Sequence, residues 1–223
     1  IGNNSLIDDQ TKIVPLHTYD YELFRDFKSH PKKLNKKAVF LDQNIANHLD
    51  YVERRGNSFD ANKYYGALRS AFSAIEEKTG LSIEIAKHPR AIYDDYDTLL
   101  GNRPIFSNQT IEMVSNSDLV ITHHSTSISF AVLLQKPIAI LATQEMYERH
   151  PDDAAIFRDL SAELGTKLRY IDELDSDTFD NLFKVDLALY AQYVSRYIRH
   201  PDAQDKSYWD VVSSIITECK SIS

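Results

Sequence analysis

Six short apolar runs set the limits on how this chain can fold. They occupy residues 38–41, 83–86, 104–106, 119–122, 138–141 and 168–171, and each is too short for a buried helix. Apart from Glu84, Thr122 and Arg169 their residues are apolar, so most of the strands they would form have no face that can look onto water. Strands buried on both faces belong to parallel sheets covered by helices on each side. Between the runs lie stretches with helical spacing. Residues 60–78 place Tyr64, Leu68, Ala71, Phe72 and Ile75 on one face, with Asp60 as the N-cap and Gly80 as the stop. Shorter helices are expected after Asn108 or Thr110 up to Asn116, after Ser125 or Thr126 up to about Leu134, and over 152–164, ended by Gly165. Two more are expected at roughly 176–199 and 207–220, divided by His200-Pro201.

Strand and helix alternate, so the expected fold class is α/β: a Rossmann-like parallel sheet with helices on both faces and a C-terminal helical tail. Residues 1–37 read as an irregular N-terminal segment and linker, with a hint of a short helix over 21–27. Residues 38–175 read as the Rossmann-like nucleotide-binding domain. Residues 176–223 read as C-terminal helices packed on it, through apolar faces that include Tyr190, Tyr193, Val194, Tyr197, Trp209, Val212, Ile215 and Ile216. The chain has 223 residues, enough for one such domain with an appendage.

Composition removes several function classes. The net charge is −8, and the densest basic group is Lys32, Lys33, Lys36 and Lys37, so no stripe of cations suits a nucleic-acid backbone. One cysteine, Cys219, cannot close an intrachain disulfide. No apolar run reaches the roughly 20 residues of a membrane span, and no signal peptide is seen, so a cytoplasmic location is expected. The dinucleotide fingerprint GxGxxG and the P-loop are both absent, as are HExxH and a GxSxG elbow.

In open parallel sheets ligands bind outside the carboxyl ends of the strands. The residues that follow the apolar runs are therefore the candidates. They are Asp42, Gln43 and Asn44; Lys87, His88, Pro89 and Arg90; Ser107, Asn108 and Gln109; His123, His124, Ser125, Thr126 and Ser127; and Thr143, Gln144 and Glu145. The three hydroxyls of Ser125, Thr126 and Ser127 stand where a helix begins, where unpaired N–H groups favour an anion. His88 and Arg90 could reach the same anion from the neighbouring strand. A plain N-cap accounts for one of those hydroxyls. Adjacent His123 and His124 point apart in an extended segment, so no metal is expected there; His48 with Asp42 and Asp50 is a looser grouping. The acidic, aromatic stretch AIYDDYDTLLG, with Tyr93 and Tyr96, reads as a sugar or nucleobase contact or as a solvated loop.

The order IEIAKHPR, then PIFSNQTIEMVSNSDLVITHHSTSISFAVLLQKPIAIL, resembles the C-terminal, donor-binding half of GT-B glycosyltransferases, over residues 38–172. It looks closest to bacterial enzymes of surface-polysaccharide synthesis. Bacterial sialyltransferases carry an HP motif and a Ser-Ser or Ser-Thr motif that hold the CMP part of the donor, and His88-Pro89 and Ser125-Thr126 match these in order. CDP-glycerol polymer transferases share the late segment in which Lys136-Pro137 leads a strand. His-Pro also occurs at residues 30, 150 and 200, but only His88-Pro89 directly follows an apolar run.

The resemblance implies roles by position. Ser125, Thr126 and Ser127 would grip the donor phosphate. His88 would contact the phosphate or nucleotide, with Pro89 fixing its loop and Arg90 beside it, and His124 would adjoin the site. Glu112 would accept from the ribose, Gln43 and Asn44 would line the cleft, and Asp42 is the candidate catalytic base. The partners implied are a nucleotide-sugar donor, CMP-linked by the match to the sialyltransferase motifs, a glycan acceptor and an N-terminal GT-B domain, with no cofactor or metal. The chain begins at Ile1, which fits a longer protein carrying that domain. The competing readings are a non-catalytic Rossmann-like nucleotide-binding or interaction module, a sugar-nucleotide epimerase and a CDP-glycerol-type transferase.

Overall fold

All the apolar runs form strands of one parallel sheet. The computed structural model describes residues 11, 13–27, 35–47, 60–91, 96–149, 151–172 and 174–220. The strands are β1 (Lys37–Leu41), β2 (Ser82–Ala86), β3 (Ile105–Phe106), β4 (Leu119–Thr122), β5 (Ile138–Ala142) and β6 (Leu168–Tyr170). The helices are α1 (Tyr19–Asp26), α2 (Ala61–Thr79), α3 (Tyr96–Leu99), α4 (Thr110–Ser115), α5 (Ile128–Leu133), α6 (Gln144–Arg149), α7 (Pro151–Glu163), α8 (Leu187–Tyr193) and α9 (Tyr208–Lys220). A 3₁₀ turn spans Ile45–Asn47, and α8 runs on into a π-helical turn at Val194–Ile198.

The strand order is β3-β2-β1-β4-β5-β6. This is the doubly wound order in which the chain works outward from β1 in one direction, then returns to fill the other side. Register aligns Leu41 with Ala86 on β2 and with Thr122 on β4, so the carboxyl ends of β1, β2 and β4 finish level. The expected Rossmann-like α/β class is therefore the observed one.

Alternate side chains of each strand serve opposite cores. Ala38, Phe40, Ile83, Ile85, Ile121 and Leu141 pack with Leu68, Phe72 and Ile75 of α2. Val39, Leu41, Val120, Ile138 and Ile140 pack with Val114 of α4 and Ile128, Ala131 and Val132 of α5. The caps of α2 are as expected: the Asp60 carboxylate accepts from the Lys63 N–H at 3.1 Å. Gly80 turns left-handed at φ 69° and donates its N–H to the Glu76 carbonyl at 2.8 Å.

Three local expectations change. The helix expected over 176–199 begins only at Leu187, capped by Asp186, which accepts from the N–H groups of Ala188 and Leu189. Residues before it form turns because Asp175 accepts from the Asp177 N–H at 3.0 Å and from the Thr178 hydroxyl at 2.6 Å. Such short polar side chains compete with helix for the backbone. The N-terminal segment, expected to be irregular, is docked in part. Thr18 caps α1, which packs on α5, and the Thr18 N–H donates to the Ile198 carbonyl at 2.8 Å. Lastly, α9 buries Val211 while Trp209 and Ile216, expected to face the domain, stay exposed. Pro151 takes the first position of α7, where its missing N–H has no cost.

Lys136 of the Lys-Pro pair has a structural task. Its buried ammonium donates to the carbonyls of Ser115 at 2.7 Å and Ser117 at 2.6 Å, closing the carboxyl end of α4 against the loop into β5. Lys136→Met keeps the apolar stem and removes those donors. It is expected to cost roughly 2–4 kcal/mol, read as a lower urea midpoint at unchanged slope.

Candidate functional site

The reversal of strand order lies between β1 and β4, and the loops leaving their carboxyl ends are joined there. Gln43 Oε1 accepts from the His124 N–H at 2.7 Å, and Gln43 Nε2 lies 2.5 Å from His124 Nδ1. The amide nitrogen can only donate, so Nδ1 accepts and a neutral His124 ring carries its proton on Nε2. The ring is half-buried, with its centroid 4.9 Å from that of Phe157. One side chain thus fixes both the backbone and the tautomer of its neighbour across the switch point.

The loop after β2 is tied in by Asp42, which is 6% exposed. Its Oδ1 accepts from the Asn44 N–H at 2.8 Å, and its Oδ2 accepts from the His88 N–H at 3.5 Å. His88 is half-buried, and its Nδ1 accepts from the Arg90 N–H at 3.3 Å, which curls the His-Pro turn. Pro89 and Arg90 are exposed. Asn44 takes a left-handed conformation at φ 52°, and its side-chain oxygen is buried without a hydrogen-bond partner among the described residues.

The paired histidines have opposite fates. His123 is fully buried, with Nδ1 2.7 Å from the Leu141 carbonyl and Nε2 2.9 Å from the Tyr64 hydroxyl. A carbonyl only accepts, so Nδ1 holds the proton and Nε2 accepts from Tyr64. Burial pulls the His123 pKa down to about 4, with the Leu141 hydrogen bond opposing the shift. His123 is a neutral core group that bolts β4 to β5 and α2. His124, one residue on, is at the surface of the site.

The hydroxyl cluster is arranged differently from expectation. The cap position of α5 is Ser127, with φ −64° and no side-chain capping bond, not Ser125 or Thr126. Ser125 instead accepts from the Ser127 N–H at 3.3 Å, and its own N–H donates to Thr122 Oγ1 at 3.3 Å. A tight turn through Ser125–Ser127 precedes the helix, so the local hydroxyl serves the turn and the cap moves two residues on. Ser125 and Ser127 are half-buried and Thr126 is exposed.

His124, Ser125 and Thr126 form one wall of a groove of about 550 Å³. The other wall is Ile156 and Leu160 of α7, with Tyr193, Arg196 and Tyr197. Glu163 holds that wall, accepting from Arg196 at 3.1 Å and from the Tyr197 hydroxyl at 2.5 Å. The tyrosines, spaced four apart, read in the sequence as an apolar helix face; nothing there tied them to Ser125. A second hollow of about 730 Å³ lies between α2 and the ends of β5 and β6, lined by Lys63, Thr143, Gln144, Glu145 and Asp172.

Glu112 is not brought to this site. It is exposed on α4 and lines a separate hollow of about 430 Å³ with Lys37, Glu84 and Gln109. His48, Asp50 and Tyr93 lie outside the described residues. Among the described residues no group of His, Cys, Asp and Glu is placed to hold a metal, and no helix is long and apolar enough to cross a membrane.

Fold and site together define a doubly wound α/β domain with a polar, cross-linked switch point. No protein-family model and no curated protein sequence matches this chain. Among solved structures it is similar to the crystal structure of the glycosyltransferase SnogD from Streptomyces nogalater, with a TM-score of 0.47 and 14% identity over 84% of this chain and 44% of that one. It is also similar to the glycotransferase of kitacinnamycin, with a TM-score of 0.39 and 12% identity over 75% of this chain and 40% of that one. The chain spans less than half the length of either structure.

Proposed function

We propose that this chain is the nucleotide-sugar donor-binding part of a glycosyltransferase, one that works in cell-surface polysaccharide synthesis with a CMP-linked donor. The observation that carries the reading is the pair of cross-links at the switch point, Gln43 to His124 and Asp42 to the His88 backbone. They tie the His-Pro loop after β2 and the Ser-Thr loop after β4 to the end of β1, the strand that lies between them, at the edge where doubly wound sheets bind nucleotides.

The chemistry follows from what those loops offer. The bond from the anomeric carbon to the donor phosphate oxygen breaks, and its electron pair leaves on that oxygen. The hydroxyls of Ser125, Thr126 and Ser127, with His88 and Arg90, provide donors for the charge that develops there, and donors fixed beforehand lower the barrier. The acceptor hydroxyl forms the new bond and gives its proton to a base. Asp42 is this chain's candidate for that base. Its bonds to two backbone N–H groups suit a positioning role better, which leaves the base to an N-terminal domain of the longer enzyme. Gln43 and Asn44 line the cleft between the two halves.

The test is a melting panel of the chain with CMP, CDP, UDP, UMP, GDP and AMP. A nucleotide at about 100 times its dissociation constant adds roughly 2.7 kcal/mol of stability. The expected result is a rise with CMP or CDP that is lost in Ser125→Ala and in His88→Ala. A response to UDP alone would replace the cytidine donor with a uridine one. A response to none, from chain that melts cooperatively, would overturn the nucleotide reading.

A further inference from the structure

At the opposite edge of the sheet, the chain entering β6 forms a hollow of about 330 Å³ with the turns that precede α8. Its floor is Arg169, only 1% exposed. The guanidinium donates to two backbone carbonyls, those of Lys167 at 2.6 Å and Asp180 at 3.0 Å, and its buried Nε has no partner among the described residues. No carboxylate pairs with it among the described residues. Burial lowers its pKa.

The walls add charge of the same sign. Lys167 and Lys184 line the hollow and are exposed, and the Lys184 ammonium has no partner among the described residues. Two carboxylates are present as well, but Asp180 is paired with Lys78 from outside the hollow at 2.5 Å. Lys167 donates to the Asp177 backbone carbonyl at 3.4 Å and lies in the field of the Asp175 carboxylate, and Asp177 accepts from the Ser176 hydroxyl at 2.8 Å, so Arg169 and Lys184 are the lining cations without a carboxylate partner among the described residues. A desolvated, uncompensated cation is costly unless an anion or further hydrogen bonds offset it.

We propose that this hollow binds a phosphate-class oxyanion, held by Lys167 and Lys184 in the field of Arg169. The volume lies at the low end of small-ligand sites, so it suits free phosphate or a small phosphate monoester rather than a dinucleotide. The site stands apart from the switch point and does not depend on the nucleotide reading.

Calorimetric titration with inorganic phosphate and with glucose 6-phosphate tests it, in the His88→Ala/Ser125→Ala background so that the switch point does not contribute. The expected result is saturable binding of at least one of them, absent with chloride at equal ionic strength. Affinity should weaken about tenfold in Lys184→Ala and again in Lys167→Ala, since each removes a charged hydrogen-bond donor. Both lysines are exposed, so these variants keep the fold. Binding of phosphate alone or tighter binding of the monoester tells which source the site takes. No binding of either, or affinity unchanged in both lysine variants, would overturn the proposal.

Discussion

Between pH 6.5 and pH 4 the protein is expected to lose about 3 kcal/mol of stability through His123 alone. In the folded chain this imidazole is fully buried with a pKa of about 4, while in the unfolded chain it returns to the ordinary value of 6.5. Within that window the unfolded state binds the proton and the folded state does not. The stabilisation is therefore complete above pH 6.5, falls as the pH drops, and is gone below about 4. Folding must keep the ring neutral because Nδ1 donates to the Leu141 carbonyl and Nε2 accepts from Tyr64. His17 has a pKa lowered by burial and acts in the same direction. Urea titrations of wild type and His123→Gln at several pH values isolate the His123 share. Glutamine offers a donor and an acceptor but no proton equilibrium, so the variant's stability should vary less with pH across the window. Equal slopes for the two proteins would show that His123 is protonated in the folded state.

Asp42→Ala is expected to cost about 2–4 kcal/mol, because it strips a charged acceptor from the N–H groups of Asn44 and His88 in a buried setting. It should also release the His-Pro loop from β1 and so weaken nucleotide binding at least tenfold. Asp42→Asn keeps an acceptor for either N–H. It should recover most of the binding while changing stability less. This contrast separates positioning from proton transfer. If Asp42 carried a proton and positioned nothing, both variants would bind nucleotide as wild type does.

The parts of the fold that could be read ahead are those with local causes. Strands buried on both faces leave continuous apolar runs, and β1, β2, β4 and β5 lie within a residue of where those runs placed them. Asp60 and Gly80 bound α2 because a side-chain cap and a left-handed turn are properties of single residues. What escaped depends on partners far along the chain. Strand parity says that His123 and His124 face apart, but not which is buried; that is decided by Tyr64, 59 residues earlier. The Gln43–His124 lock spans 81 residues and leaves no local pattern. The late start of α8 turns on whether Asp175 and Thr178 bond to their own turn or yield to the helix, and burial of Phe179 and Leu182 favours the turn. Glu112 sat at a plausible distance along the chain from the Ser-Thr loop, yet α4 presents it to another hollow.

Nuclear magnetic resonance mapping of backbone amide shifts, as CMP, CDP or UDP is titrated in, tests the switch point residue by residue. If the switch point holds the nucleotide, the saturating shifts should cluster at Gln43 and Asn44, at His88 and Arg90, and at His124, Ser125, Thr126 and Ser127. The amides around Arg169, at the far edge of the sheet, should stay still. Shifts confined to any other surface, or none at concentrations that would saturate a millimolar site, would contradict the assignment of this edge as a nucleotide-sugar site.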